Sequence, residues 1–409
     1  MDIKITPAKL HGVVTPPPSK SAAHRMLIAA ALAEGTSVID RLYPSVDILT
    51  TVEAMRRLGA EIDVEGDRAV VRGIGNAPEN AVLDCCESGS TLRFLIPVSA
   101  ALGVKTEFLG RGKLPERPIT PYLEEFPNHG VEFDYNNTMP FTINGKLTGG
   151  RYEIDGGISS QFITGLLLAL PLTGQRSEIV LTSHLESRPY VDMTIDVMRK
   201  YGVNVEVTEN SFIIPEGQKF RAYDDAVEGD HSQGAFFEVA NSLGSDIDIR
   251  GLNENSFQGD KKVIEICKEI VYNDNGAMKP FTVSAADIPD LVPILAVLGS
   301  FCGGESRIID AARLRLKESD RLAAMEETLN ALGGDVTATA DSLIIKGKES
   351  LSGGAEVSAH NDHRIAMAMA IAATRCENPI IIRGAECVRK SYPDFWEVYR
   401  SLGGIAEEI

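Results

Sequence analysis

Six short polar or charged segments of this chain carry residue types that could take part in chemistry, and each segment directly precedes an apolar stretch. The apolar stretches predict helices, so the polar segments stand at helix N-termini, where unpaired N–H groups and a partial positive charge attract anions. The successive spacings are 69, 70, 72, 58 and 72 residues, which indicates repeated supersecondary units. A phosphate or carboxylate is therefore the ligand that the pattern predicts. The segments are 19–21 with Arg25, 88–90 with Arg93, 159–161, 230–233, 287–290 and 361–364.

Cationic and neutral donors accompany these helix starts. Lys20 and Arg25 open the first apolar helix, where a cation opposes the helix dipole and a bound anion would remove that cost. Arg117 precedes Pro118, which keeps the preceding residue extended and would direct the guanidinium at a carboxylate or phosphate. The Ser-Ser-Gln segment 159–161 adds neutral donors suited to phosphate. Taken singly, each segment is also explained by a solvated helix turn or an ordinary serine cap.

Candidate acid and base groups lie in the C-terminal half of the sequence. Asp290 precedes an apolar helix and could serve either as a helix cap or, in a closed cleft, as a base. Glu318 lies between Lys317 and Arg321, and a carboxylate beside two cations stays ionised unless it is desolvated. A charged strand-to-helix turn is the alternative interpretation of this second segment.

The sequence predicts no metal and no cofactor. His360 and His363 are three residues apart, but no third or fourth ligand stands at a fitting spacing. Neither a dinucleotide glycine motif, a P-loop nor a nucleophile elbow occurs. The predicted site is therefore one for two small anionic substrates, with acid and base groups beside them.

Composition excludes several classes of partner. The 409 residues carry a formal net charge of -18, which repels nucleic acid and anionic membrane surfaces. Six cysteines without a regular framework are typical of free thiols in a reducing compartment. The chain starts with an alternating stretch rather than a leader, and the run 26–33 is shorter than the ~18 apolar residues of a membrane span. We expect a cytoplasmic monomer.

A second repeated pattern, a helix followed by a glycine and a strand, lies between the polar segments and predicts the elements that position them. Amphipathic helices end at a glycine that suits a left-handed cap, and alternating strands follow. One copy without its glycine should lie near 269–283, and the last copy lacks strands, for which residues 2–6 are the expected donor. The helices after the polar segments are apolar all round and should be buried, with the sheets outside them, in two lobes of three units. The glycines are Gly59, Gly130, Gly202, Gly333 and Gly403.

In this order, and along nearly the whole chain, the motifs resemble those of the EPSP synthase (3-phosphoshikimate 1-carboxyvinyltransferase) family. They include Ser19-Lys20-Ser21 with Arg25, Ser88-Gly89-Ser90, Glu116-Arg117-Pro118, Ser159-Ser160-Gln161, Ser187-Arg188-Pro189-Tyr190, Glu228-Gly229-Asp230, Ile288-Pro289-Asp290, Leu316 to Arg321, Asn361 to Arg364 and Lys390 to Pro393.

The resemblance implies a two-lobed inside-out α/β barrel, with three βαβαββ repeats in each lobe, buried helices and outer sheets. Lobe one would comprise residues 1–18 and 228–409, and lobe two residues 19–227, with the substrates in the cleft between the lobes. The implied reaction moves the enolpyruvyl group of phosphoenolpyruvate onto the 5-hydroxyl of 3-phosphoshikimate and releases phosphate. It belongs to the shikimate pathway of aromatic amino acid biosynthesis.

The resemblance also implies site residues. Those expected to hold 3-phosphoshikimate are Lys20, Ser21, Arg25, Ser159, Ser160, Gln161, Ser187, Asp290 and Lys317. Those expected to hold phosphoenolpyruvate are Lys20, Gly89, Arg117, Gln161, Arg321, Arg364 and Lys390. Asp290, with Lys317, would accept the hydroxyl proton, and Glu318 would donate a proton to the methylene carbon.

Three alternatives to this function differ in class. The enolpyruvyl transferase acting on UDP-N-acetylglucosamine usually has a cysteine in its mobile loop, which the loop 110–117 lacks. A non-catalytic anion-binding scaffold is disfavoured by the joint presence of Lys20, Asp290, Lys317 and Glu318. An RNA-binding repeat protein is disfavoured by the acidic charge and the lack of aromatic platforms.

Overall fold

The computed structural model describes residues 1–270 and 277–409. The chain forms two compact units: unit one is Met1–Pro17 with Gly229–Ile409, and unit two is Pro18–Glu228. Each unit has its own hydrophobic cluster. Among the described residues, no helix combines the length and the apolar character needed to cross a bilayer.

Helices and strands alternate along both units. The helices are α1 (Lys20–Leu32), α2 (Val46–Arg57), α3 (Gly89–Leu102), α4 (Thr120–Glu125), α5 (Ser160–Ala169), α6 (Arg188–Lys200), α7 (His231–Ser242), α8 (Lys262–Glu269), α9 (Val292–Gly299), α10 (Arg321–Ala331), α11 (His363–Ala373) and α12 (Phe395–Ser401). The strands are β1 (Ile3–Thr6), β2 (His11–Val14), β3 (Thr36–Asp40), β4 (Glu61–Glu65), β5 (Arg68–Arg72), β6 (Asn80–Asp84), β7 (Lys105–Leu109), β8 (Val131–Asp134), β9 (Phe141–Gly145), β10 (Gly150–Ile154), β11 (Ser177–Leu181), β12 (Glu206–Val207), β13 (Ser211–Ile214), β14 (Asp225–Ala226), β15 (Asp246–Ile249), β16 (Thr282–Ser284), β17 (Glu305–Ile309), β18 (Val336–Ala338), β19 (Leu343–Lys346), β20 (Glu356–Ser358), β21 (Ile380–Arg383) and β22 (Ile405–Glu408).

Three four-stranded sheets of unit two share one topology. In each, the first strand is parallel to the second, and the remaining pairs are antiparallel. The strand orders are β14-β3-β5-β4, β6-β7-β9-β8 and β10-β11-β13-β12. The repeat that the sequence spacing predicts is therefore present in the backbone pairing.

Unit one repeats the same sheet. The orders β16-β17-β19-β18 and β20-β21-β1-β22 follow this topology, and β2 is parallel to β15. In the second of these sheets β1 pairs with both β21 and β22, with Ile3 opposite Ile382 and Glu408. The prediction that residues 2–6 complete the last copy is confirmed. The copy expected near 269–283 falls partly on residues 271–276, which lie outside the described residues.

The helices that follow the polar segments are buried on all sides. Residues 26–31 of α1 are at most 3% exposed, whereas β5 buries only every second residue. The mixed α/β fold with inner helices and outer sheets is thus confirmed. One buried helix changes its form near its end: α5 ends at Ala169, and a 3₁₀ turn continues it over Leu170–Thr173. Pro171 causes this change, because it has no N–H to continue the α-helical ladder.

Both kinds of helix terminus form as the sequence indicates. The five predicted cap glycines that follow amphipathic helices have φ between +83° and +105°, a conformation that side chains disfavour. A side-chain oxygen caps five of the six buried helices, and the capping residues are Ser19, Ser88, Ser159, Asp230 and Asp362.

Candidate active site

Arg321 is the centre of a charged group in unit one. Its side chain is 1% exposed, and each of its three nitrogens donates to a different carboxylate. Nη1 donates to Asp290 Oδ1, Nη2 to Glu318 Oε2 and Nε to Asp362 Oδ2, each at 2.9 Å. Burial alone would lower the pKa of Arg321, but these three carboxylates raise it well above its ordinary value. The guanidinium is therefore a permanent cation that fixes three acidic side chains.

Asp290 is shared between two guanidinium groups. Its Oδ1 accepts from Arg321, and its Oδ2 accepts from Arg364 Nη2 at 2.7 Å. Burial opposes ionisation of Asp290, but Arg364, Arg321 and Lys317 together hold its pKa below the ordinary value for an aspartate. No side-chain cap is found at the start of α9, so the carboxylate serves the charged group rather than the helix end.

Lys317 lies beside this charged group, and the pKa of its amine is lowered. Burial is the largest influence on it and lowers its pKa to about 8, with Asp290 acting in the opposite direction. Arg313 and Arg321 add to the lowering because like charges disfavour the ammonium form. A fraction of neutral amine is thus available near neutral pH, which is the property of a proton acceptor.

The last predicted residue of unit one, Lys390, is linked to the start of α11. Its Nζ donates to the backbone oxygen of Asn361 at 2.7 Å. Asn361 has φ +53°, and His360 before it has φ +50°. Two successive non-glycine residues in the left-handed region mark a strained turn directly before the helix that carries Arg364.

In unit two, Arg25 is buried among neutral oxygens. It is 2% exposed, and its nitrogens donate to Thr194 Oγ1 at 2.7 Å, Ser21 O at 2.6 Å, Tyr190 O at 3.0 Å and Thr164 Oγ1 at 3.4 Å. Burial lowers its pKa to about 10. The contacts join α1 to α5 and α6, so this cation is positioned by three helices of the unit.

Gly89, Arg117 and Gln161 form a second group in unit two. A Cβ added to Gly89 would lie 2.6 Å from Arg117 Nη1 and 3.6 Å from Gln161 Oε1, so a larger residue there would displace the Arg117 guanidinium. Gln161 Oε1 accepts from Arg93 at 2.8 Å, and its Nε2 donates to Ser90 Oγ at 3.0 Å. Two arginines and the first turn of α3 therefore converge at one place, a suitable environment for an anion.

Lys20 lies at the start of α1 beside a carboxylate. Its Nζ is 2.8 Å from Asp47 Oδ2, and both side chains are less than a fifth exposed. Asp47 stands in the first turn of α2, where the helix dipole favours an anion. An arriving anionic ligand would compete with Asp47 for Lys20.

The predicted serines occupy helix starts. Ser159 caps α5 through Gln161 N at 3.3 Å, and Ser160 is the first residue of that helix. Ser21 is in the first turn of α1 and supplies its backbone oxygen to Arg25. Ser187 precedes α6 with φ +58°, an uncommon conformation for a residue with a side chain.

Several residues that the structure places in these groups, among them Asp362, Ser232, Asp47 and Thr194, have no role predicted from the sequence. Asp362 and Ser232 lie within two of the polar segments, so their position was a usable signal. Asp47 and Thr194 lie outside them, and nothing in their local sequence distinguishes them from ordinary helix residues. Ser232 Oγ donates to Asp230 at 2.6 Å and accepts from Arg364 at 3.1 Å.

The whole chain is similar to one family of enzymes. The family model described as EPSP synthase (3-phosphoshikimate 1-carboxyvinyltransferase) matches residues 5–399. The 3-phosphoshikimate 1-carboxyvinyltransferase of Clostridium novyi (strain NT) is 45% identical over 100% of this chain and 98% of the relative. That of Clostridioides difficile (strain 630) is 42% identical over 99% of this chain and 98% of the relative. Among solved structures, EPSP synthase from Acinetobacter baumannii is 26% identical, with a TM-score of 0.82 over 100% of both chains.

Proposed function

This chain belongs to the EPSP synthase (3-phosphoshikimate 1-carboxyvinyltransferase) family, and we propose how its residues carry out the transfer. The enzyme is a transferase of the shikimate pathway in aromatic amino acid biosynthesis. The 5-hydroxyl oxygen of 3-phosphoshikimate forms a bond to C2 of phosphoenolpyruvate while a proton is added to C3. Phosphate then leaves from C2 and C3 loses a proton, which gives the enolpyruvyl ether.

One observation carries the assignment of catalytic roles. Arg321 holds Asp290 and Glu318 at 2.9 Å each, so the candidate base and the candidate acid lie on one guanidinium. The base must act at the hydroxyl oxygen and the acid at the methylene carbon C3, and both of these atoms are bonded to C2 in the adduct. A rigid cation between two carboxylates supplies that fixed separation without a cofactor.

Asp290 and Lys317 are the proposed acceptors of the hydroxyl proton. Arg364 and Arg321 make Asp290 a weak base, because they stabilise its ionised form. The lowered pKa of Lys317 makes its neutral amine the better acceptor. Before the transfer, the hydroxyl donates a hydrogen bond to Asp290, which orients its oxygen, and Lys317 takes that single proton as the bond to C2 forms.

Glu318 is the proposed donor to the methylene carbon. Its Oε2 accepts from Arg321 Nη2, which holds the carboxyl group in place, and bound substrates would exclude water from the proton transfer. In the second step the same carboxylate takes the proton back from C3. Glu318 is thus unchanged over the full reaction.

Phosphoenolpyruvate requires several cations because it carries a phosphate and a carboxylate. We assign it to Lys20, Gly89, Arg117, Gln161, Arg321, Arg364 and Lys390. The close approach of Gly89, Arg117 and Gln161 supports a phosphate at the start of α3. Arg321 uses three of its five N–H groups for the carboxylates, which leaves two that could donate to substrate. These cations also stabilise charge that develops in the addition step.

The second substrate, 3-phosphoshikimate, is assigned to hydroxyl and cationic groups. Buried Arg25 with its neutral partners supports a bound phosphate, because that anion would complete the charge balance of the guanidinium. The remaining contacts come from the helix starts and from the acid–base group. The assigned residues are Lys20, Ser21, Arg25, Ser159, Ser160, Gln161, Ser187, Asp290 and Lys317.

Phosphate release measured with two acceptors tests the function. Purified protein with phosphoenolpyruvate and 3-phosphoshikimate should release one phosphate for each enolpyruvyl ether formed. UDP-N-acetylglucosamine in place of 3-phosphoshikimate is the control and should release none. Release with the sugar nucleotide alone would refute the proposal and favour the other enolpyruvyl transferase.

We also propose that the enzyme is a cytoplasmic monomer. All six cysteines lie within the described residues and are free thiols, as a reducing compartment requires. Light scattering after size-exclusion chromatography should give a mass of about 44 kDa, the mass of one chain. A mass of twice that value would contradict the monomer.

A further inference from the structure

Two polar contacts connect α1 and α2 at successive helical turns. Lys20 meets Asp47 at 2.8 Å, and one turn further His24 Nδ1 meets Thr51 Oγ1 at 2.7 Å. The residues advance by four on both helices, so α1 and α2 run in the same direction at this contact. The N-termini of the two helices therefore lie side by side. The Lys20–Asp47 pair lies at these N-termini, and the His24–Thr51 pair lies one helical turn further along.

The inner contact continues into α3. Thr51 Oγ1 is 2.7 Å from Thr91 Oγ1, and Thr91 Oγ1 donates to Ser88 Oγ at 2.7 Å. Ser88 is the cap of α3 and accepts from Thr91 N at 3.2 Å. These four side chains, which we call the hydroxyl chain (His24, Thr51, Thr91 and Ser88), are each at most 1% exposed. It ends one residue before Gly89.

The direction of the hydrogen bonds follows from the number of protons. Each threonine hydroxyl has one proton, and Thr91 gives its proton to Ser88, so Thr91 accepts from Thr51. Thr51 in turn accepts from His24, whose proton must therefore be on Nδ1. Burial, with Lys20 and Arg25 nearby, holds the pKa of His24 well below its ordinary value, so the ring is neutral. Every link of the hydroxyl chain then has one donor and one acceptor.

The hydroxyl chain fixes the register of the contact among α1, α2 and α3. Apart from the Lys20–Asp47 pair and Arg25, which lies over the Phe94 ring, these helices contribute mainly apolar side chains to the core, and apolar packing alone specifies a unique arrangement less strictly. Buried hydrogen bonds specify one register, because a shifted helix would leave buried hydroxyls without partners. The first turns of α1 and α3 carry Lys20 and Gly89, so their separation is fixed by this register.

We propose that the hydroxyl chain is a positioning device that holds the first turn of α3 against the first turn of α1 for phosphoenolpyruvate. His24, Thr51 and Thr91 are positioning residues, since they act through Lys20 and Gly89. The inference rests on the proposed function, which assigns phosphoenolpyruvate to those two residues. Loss of a link lets the helix starts separate, and the phosphate of phosphoenolpyruvate then meets only one of them at a time.

Thr51→Val tests the proposal, because it removes the central hydroxyl and keeps the branched shape. We expect the KM for phosphoenolpyruvate to rise about tenfold, the loss that corresponds to one buried hydrogen bond. The kcat and the KM for 3-phosphoshikimate should change less than about twofold. Thr51→Ser restores the hydroxyl and should return the KM for phosphoenolpyruvate close to the wild-type value.

Thr50→Val is the matched control. Thr50 is the preceding residue of α2, is 7% exposed, and its hydroxyl donates to Val46 O at 2.8 Å. The Thr50→Val variant should have the same KM values for both substrates as the wild type. Equal KM values for Thr51→Val and Thr50→Val would overturn the proposal, as would a parallel rise in both KM values after Thr51→Val. Thermal unfolding of each variant shows whether it is folded.

A double variant tests whether the hydroxyls act together. If they form one unit, Thr51→Val with Thr91→Val should raise the KM for phosphoenolpyruvate no more than either single change does. If the rises in KM of the two single variants multiply in the double variant, the proposal is overturned. If Thr51→Val does not fold, Thr91→Val and its rescue by Thr91→Ser provide the same comparison. Wild-type enzyme that releases no phosphate would overturn the proposed function as well, whereas active wild type with unaffected variants would overturn the positioning role alone.

Discussion

Two equally buried arginines of this protein have opposite surroundings. Arg25 in unit two is 2% exposed and Arg321 in unit one is 1% exposed. Arg25 donates to neutral hydroxyl and carbonyl oxygens, whereas Arg321 donates to three carboxylates. Burial lowers the pKa of Arg25 to about 10, while for Arg321 the carboxylates outweigh burial and raise the pKa.

The difference separates two uses of a buried cation. A guanidinium among neutral acceptors keeps a net positive charge, so a bound anion stabilises it. A guanidinium among carboxylates has its charge matched, and it serves to fix those carboxylates in place. Arg25 is therefore suited to binding, and Arg321 is suited to organising an acid and a base. Mutations on the two sides should accordingly change different kinetic constants.

The largest effect is expected from Asp290→Asn on the Arg321 side. The change removes a charge shared by Arg321 and Arg364 and the group that orients the hydroxyl. We expect kcat to fall about 10³-fold in steady-state phosphate release. Asp335→Asn, an exposed carboxylate of the same unit, is the control and should leave kcat unchanged. A loss of kcat below about tenfold would remove Asp290 from the catalytic group.

A somewhat smaller loss is expected from Glu318→Gln. The amide keeps an oxygen that accepts from Arg321 but has no proton to donate to the methylene carbon. We expect kcat to fall about 10²-fold with little change in either KM. Direct binding of phosphoenolpyruvate by calorimetry, in the presence of 3-phosphoshikimate, separates the two constants. Weakened binding with an unchanged kcat would show that Glu318 only positions substrate.

On the other side of the comparison, Arg25→Lys should affect binding. Lysine keeps the charge but cannot donate to Thr194, Thr164 and Tyr190 from one planar group. We expect the KM for 3-phosphoshikimate to rise about tenfold while kcat stays within about twofold. Arg57→Lys on α2, paired with Glu53 on the surface, is the matched control. If kcat fell and KM did not, the contrast between the two arginines would be wrong.

The smallest expected effect is on the melting temperature, because the buried charge of Lys317 destabilises the fold. Its folded pKa of about 8 is below the value of an exposed lysine, so burying the ammonium destabilises the fold below pH 8. That cost disappears as pH rises from about 8 towards the unfolded pKa, because the amine is then neutral in the folded state. Lys317→Met should therefore raise the melting temperature by about 2 °C at pH 7 and by less at pH 9.5. A stabilisation that grows with pH would contradict this sign.

Much of the fold could be predicted from local sequence. Ser19 and Asp362 cap helices because a short polar side chain before an apolar run satisfies free N–H groups wherever it occurs. Gly202 ends α6 because the left-handed conformation suits glycine. The end of α5 is less apparent from local sequence, since the apolar pattern continues past Pro171 while the α-helical hydrogen-bond ladder does not.

The sequence by itself determined which residues stand at the helix starts, and hence that this protein gathers donors for anions. Only the tertiary structure decided how each charge is compensated. Arg25 meets Thr194 across 169 positions of sequence, and Arg364 meets Asp290 across 74. Helix periodicity is set by neighbouring residues, whereas charge compensation depends on packing between distant helices, which local sequence does not encode.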